Sequence, residues 1–124
     1  MANPNIAALT TIYGKTTGTS LITTAVTNLL INPAASGVVF KVGTIIAANK
    51  SATNAALTLT LVTNVSGLGL PYCLAYAVSI PANAALVLVG RDAPIYLDED
   101  KKLTVTAEAA STEIDVIVSY EEIS

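Results

Sequence analysis

The chain has no histidine and no tryptophan, and only one cysteine and one phenylalanine in 124 residues. Without histidine there is no imidazole acid or base, no Ser-His-Asp or Cys-His nucleophilic arrangement, and none of the usual zinc ligand sets. One cysteine, Cys73, cannot form an intrachain disulfide, and its neighbours Tyr72 and Leu74 predict a buried, inert thiol. A disulfide-stapled secreted scaffold is excluded. Charge is scarce as well: 12% of residues are charged, against about a quarter in an average soluble domain. Such a surface must be covered by neutral Thr, Ala, Asn and Ser or by another subunit, since interface cores are depleted in charge in the same way.

The scarcity is uneven. Residues 1–90 hold Lys15, Lys41 and Lys50 and no acid, for +3, whereas residues 91–124 hold nine acids against Arg91, Lys101 and Lys102, for −6. No basic stripe results, so direct nucleic-acid binding is not expected. Long apolar runs are missing too. Leu68 to Val89 is interrupted by Pro71, Pro81 and Asn83, short of the ~18 uninterrupted apolar residues of a membrane-crossing helix. The start, Met1-Ala-Asn-Pro-Asn5, lacks the charged and apolar regions of a secretory leader.

What is present is β-forming. The hydrophobic fraction is 52%, carried by Ala, Val, Leu and Ile, and sixteen threonines accompany it. The cleanest pattern lies near the end. Leu103, Val105, Ala107 and Ala109 alternate with Lys102, Thr104, Thr106 and Glu108, and Ile114, Val116, Val118 and Tyr120 alternate with Glu113, Asp115, Ser119 and Glu121. The two runs read as an antiparallel hairpin turning near Ala110-Ser111. Upstream, the reading gives strands over residues 6–13, 19–31, 38–49, 55–64, 70–80 and 85–89, and a short extended piece over 94–100. Turn residues separate them: Gly14–Gly18, Asn32–Gly37, Asn49–Asn54, Asn64–Gly69, Ser79–Ala84 and Gly90–Pro94. Val38-Val39-Phe40 suggests burial on both faces, and Leu57, Leu59 and Leu61 alternate against Thr58 and Thr60. About eight strands without a helix predict an all-β fold, a single antiparallel β-sandwich of jelly-roll type. One domain over residues 9–124 is expected, preceded by an arm over residues 1–8.

Chemistry-bearing patterns are sparse. Gly14-Lys15-Thr16 lacks the earlier glycine and following helix of a phosphate-binding loop, and reads as a solvated lysine in a turn. Asp98, Glu99 and Asp100, with Asp92, offer oxygen ligands for Ca2+ but no Asp-x-Asp-x-Asp-Gly spacing, so a solvated acidic turn is the preferred reading. Sequential acids also do not set two carboxylates across a substrate bond. Tyr72, Tyr76 and Tyr96 are candidates for a sugar-stacking platform or for core and rim anchors. No catalytic, cofactor-binding or metal residue is assigned, and no enzyme or cofactor is expected.

Several stretches together resemble a family. They are Val78-Ser-Ile-Pro-Ala-Asn-Ala-Ala-Leu-Val-Leu-Val89, Ala93-Pro-Ile-Tyr-Leu-Asp-Glu-Asp-Lys-Lys-Leu-Thr-Val-Thr-Ala107 and Val116-Ile-Val-Ser-Tyr-Glu-Glu-Ile123. Ile12-Tyr13-Gly14-Lys15-Thr16 and Asn32-Pro-Ala-Ala-Ser-Gly37 before Val39-Phe-Lys-Val42 match in kind. They look like small structural proteins of tailed phages, especially phages of cyanobacteria and other marine bacteria. The resemblance implies a virion component made in the host cytoplasm and carried on the phage head surface. The favoured station is a capsid decoration (cement) protein, a homotrimer bound to the major capsid protein, with neck, tail or fibre as other stations. A carbohydrate- or receptor-binding module is the competing class.

Overall fold

Strand-forming segments with one apolar face must bury that face against another layer, and here two antiparallel sheets do so. The computed structural model describes residues 8, 11–65, 71–90, 92–108 and 113–124. Nine strands follow in order: β1 (Ile12–Leu21), β2 (Thr27–Asn32), β3 (Val39–Asn49), β4 (Ala55–Val62), β5 (Pro71–Ile80), β6 (Ala85–Val89), β7 (Ile95–Leu97), β8 (Lys101–Ala107) and β9 (Ile114–Ile123). The first sheet runs β1-β9-β3-β6, with β7 on the same edge of β3 as β6; the second runs β2-β8-β4-β5. This is jelly-roll order, with β6 and β7 sharing one strand position that breaks between Gly90 and Pro94. The ninth strand, against the expected eight or so, is β7, which lies within the short extended piece read over 94–100.

The core lies between the sheets. Leu57, Leu59, Leu103 and Val105 from the second sheet meet Val42, Ile45, Val116 and Val118 from the first, all at 0% exposure. Each such side chain contributes roughly 1.5–3 kcal/mol by leaving water. Phe40 packs against Tyr120 with ring centroids 5.0 Å apart. Val39 and Phe40 are both buried, as their consecutive placement predicts.

Three sequence expectations are corrected. The alternating segments near the end are strands with the expected inward faces, but they are not a hairpin: β8 lies between β2 and β4, and β9 between β1 and β3. Their apolar faces oppose each other across the core, which requires one strand in each layer. The turn read at Ala110-Ser111, and Ala109, lie outside the described residues. At the front, the loop read at Gly14–Gly18 is the middle of β1, whose ten residues pair with β9 without a register shift. The strand read over residues 19–31 is interrupted at 22–26. The continuous ladder to β9 outweighs the roughly 0.5–1 kcal/mol that each strand glycine costs. The arm expected over residues 1–8 lies outside the described residues except for Ala8.

Passing from one sheet to the other strips backbone groups of their ladder partners, and two buried asparagines supply replacements. Asn32, the last residue of β2, is fully buried; its Nδ2 donates to the Val38 and Leu97 carbonyls at 3.0 and 2.9 Å, and its Oδ1 accepts from the Ser36 hydroxyl. Asn49, the last residue of β3, is 2% exposed. Its Nδ2 donates to the Thr53 and Ile80 carbonyls at 2.9 and 3.0 Å, with Pro81 at 3.3 Å, and its Oδ1 accepts from the Ser51 amide and hydroxyl. Each side chain thus ties its own crossover to the end of a distant strand. Among the described residues no buried side-chain nitrogen or oxygen lacks a partner. Replacing Asn32 or Asn49 by Leu should cost about 2–4 kcal/mol, because a buried carbonyl, Leu97 or Ile80, and at least one partly buried carbonyl lose their donor. Urea unfolding would read this as a lower midpoint at unchanged slope; a loss under about 0.5 kcal/mol would contradict the tie.

Candidate functional site

The outer face of the first sheet carries the odd residues of β9 from Asp115 to Glu121 and their cross-strand partners. One row crosses all four strands: Gly18 on β1, Ile117 on β9, Ile46 on β3 and Val87 on β6. Ile117 is 47% and Val87 58% exposed. Neighbouring rows are small and polar, Thr16-Ser119-Thr44 on one side and Ser20-Asp115-Ala48-Ala85 on the other. Gly18 leaves a depression of about 300 Å³ beside Ile117. A Cβ at Gly18 would lie 3.3 Å from the Val116 carbonyl, so even alanine fits tightly. The row is a narrow apolar stripe flanked mainly by small side chains, with charge entering at Asp115 on one side and at Glu121 and Lys41 farther along the face; a charge-poor centre of this kind has the composition of an interface core.

Asp115 is the acidic group bordering that stripe. It accepts from the Ser20 hydroxyl at 2.5 Å and pairs with Lys50 at 3.2 Å. The Ser20 hydrogen bond, followed by the hydrogen bond and charge of Lys50, holds its carboxyl below the usual range, partly opposed by desolvation.

The outer face of the second sheet holds a wider depression of about 390 Å³, lined by Thr60, Thr104, Thr106, Val62, Pro71 and Lys102. No aromatic ring lines it. Thr58, on the same face, caps a distortion: the register of β4 against β5 shifts between Leu57 and Leu59, Ala77 takes a φ of 48°, and its N–H donates to the Thr58 Oγ1 at 3.0 Å. Thr58 in turn donates to Glu108.

The residues singled out from the sequence are dispersed. In the acidic turn, Asp98 pairs with Lys101 at 2.8 Å, Glu99 accepts from the Gly37 amide at 3.1 Å and Asp100 accepts from the Val65 amide at 3.2 Å. The turn read as solvated is instead a half-buried fastening between loops. Among the described residues no cluster of three acids, cysteines or histidines is arranged to hold a metal ion. Tyr72 and Tyr76 lie on β5 of the second sheet and Tyr96 on β7 of the first, all exposed. Cys73, expected buried, is exposed: it sits on β5 opposite Thr60 and so shares that residue's outward face, away from the core. Lys15 does not sit in a turn; it lies in β1 and pairs with Glu122 at 2.8 Å. The Glu122 hydrogen bond, helped by its charge, raises the Lys15 pKa.

Sequence reading missed the Gly18-Ile117-Ile46-Val87 row. Its four members are separated along the chain, and only the strand register aligns them. No helix among the described residues is long and apolar enough to cross a membrane. Replacing Ser20 by Ala should raise the Asp115 pKa toward its ordinary value of 3.8, read by NMR titration of the carboxyl carbon. The ionised form is the one the fold favours, so the stability advantage over Ser20→Ala is complete above that ordinary value and vanishes as pH falls through the lower folded-state pKa. An unchanged Asp115 titration would show that the contact is not made in solution. Compared with models of known protein families and with curated proteins, the chain gives no match.

Proposed function

We propose that the chain is a structural component of a bacteriophage virion, most concretely a capsid decoration protein that self-associates and seats on the outer face of the major capsid lattice. The observation that carries the reading is the apolar row in which exposed Ile117 and Val87 flank half-buried Ile46, bordered mainly by small residues on the outer face of the first sheet. Such a surface gains by being covered, and its low charge makes covering it inexpensive in desolvation. Further support comes from the phage-like stretches, of which Val78–Val89 spans β6 and Val116–Ile123 lies within β9.

The mechanism is adhesive. Copies joined to one another present several weak contacts to the shell at once, and avidity makes the assembled lattice more stable than any single contact would. No group-transfer chemistry is involved. A neck, tail or fibre station would use the same faces against a different lattice.

Electron microscopy of a particle carrying the chain should place multiple copies on the outside of the head. Replacing Ile117 by Glu should weaken capsid binding at least about tenfold, while leaving the unfolding midpoint nearly unchanged because the side chain is half exposed. Absence of the chain from purified particles, or unaltered binding by Ile117→Glu, would overturn the reading.

A further inference from the structure

We propose that β1 is a self-pairing edge: two copies join antiparallel through β1 about a two-fold axis at Thr16, fusing their first sheets into one continuous sheet. The inference rests on the self-association within the proposed function, puts a two-fold dimer in place of the homotrimer that the resemblance implies, and needs no capsid to be true.

A sheet edge is a row of unpaired N–H and C=O groups, and proteins ordinarily blunt such edges with bulges, proline, charge or shortness. Three of the four edges here are blunted. β2 has six residues, a register shift between Asn28 and Leu30, and Pro33 directly after it. β5 begins at Pro71, shifts register twice and carries the left-handed Ala77. The edge along β3 is split into β6 and β7, with Pro94 between them. β1 has none of these devices. It has ten residues, no proline and no shift, its residues from Ile12 to Gly18 are all exposed, and its one charge, Lys15, is paired with Glu122 of the neighbouring strand.

The ladder identifies the open groups. Thr11 and Ser124 exchange both backbone hydrogen bonds, at 2.9 and 3.0 Å. In an antiparallel pair such exchanges alternate, so the odd residues of β1 turn their backbone groups toward β9 and the even ones, Ile12, Gly14, Thr16, Gly18 and Ser20, turn theirs to the open side.

The occupant that fits is a second copy. Gly14-Lys15-Thr16-Thr17-Gly18 is symmetric in its small residues about Thr16. A two-fold axis there sets Thr16 opposite Thr16, Gly14 opposite Gly18 and Ile12 opposite Ser20, so all five open residues are used and about ten backbone hydrogen bonds form. Lys15 falls opposite Thr17, not opposite its own copy. Ile12, 49% exposed, is brought near Ile22 of the second copy, itself 64% exposed just beyond β1. Apolar surface at both ends of the strand is then covered, and the interface is isologous, as closed dimers require.

Thr16→Pro tests this directly. The Thr16 N–H points away from β9, so proline there leaves the intrachain ladder whole and removes a donor at the axis of the dimer. Sedimentation equilibrium should give a dimer for the unsubstituted chain, with dimerisation weakened about a hundredfold in Thr16→Pro. Thr16→Lys, which sets two ammonium groups face to face, should do the same if the proline variant folds poorly. In the dimer the amides of Gly14, Thr16 and Gly18 should exchange with deuterium as slowly as their odd neighbours; in the monomeric variants Gly14 and Gly18 should exchange far faster. A monomeric unsubstituted chain, a trimer, or a dimer indifferent to both variants would overturn the inference. A dimer of this kind that binds no capsid would uphold it and remove the virion reading instead.

Discussion

Every crossover in this fold carries backbone out of one sheet and into the other, and the demand for hydrogen-bond partners at those exits is the constraint on which the rest depends. Asn32 and Asn49 meet it from inside. Each ends a strand and hides its amide almost completely, donating to a carbonyl of the loop it opens and to one from a strand far along the chain: Leu97 for Asn32 and Ile80 for Asn49. A buried amide of this kind is a high-stakes device, because losing it leaves a buried carbonyl, Leu97 or Ile80, without a donor and frees a loop carbonyl at the same time. In return it locks both loop conformation and strand order, and the apolar core can be built from small branched residues of little individual shape.

The same inward accounting extends to the charges. The acids of the 98–100 turn are spent on Lys101 and on the amides of Gly37 and Val65, and Thr58 caps the displaced Ala77 amide. These polar groups hold loops together. The surface left over is sparse in charge, with the apolar side chains of Ile117 and Val87 standing out on the first sheet and an open edge at β1.

Alternation along the chain was legible because it reports which face a side chain occupies. Leu103, Val105 and Ala107, and Ile114, Val116 and Val118, point inward as their period requires. What alternation does not carry is the identity of the neighbouring strand, so two patterned segments close in sequence read as a hairpin although a sandwich separates them. Gly14 and Gly18 signal a break locally; the ten-residue ladder with β9, over a hundred residues away, overrides that signal. Asn32 and Asn49 looked like punctuation, since asparagine favours turns, and nothing adjacent to them indicates that their amides point into the core. Cys73 is the converse case: apolar neighbours suggested burial, and its place on the outward face of β5 left it in solvent. The apolar row of the first sheet joins residues from four strands, so it is created by register alone.

The most direct test of the inward-locking account is NMR hydrogen exchange of the Asn32 and Asn49 side-chain amides. The account predicts that their Nδ2 protons exchange only through global unfolding, at the rate set by the same free energy as the slowest backbone amides of β3, β8 and β9. Exchange at the rate of exposed asparagines such as Asn28 and Asn83, while the core amides stay protected, would show that the crossovers open on their own and would contradict it.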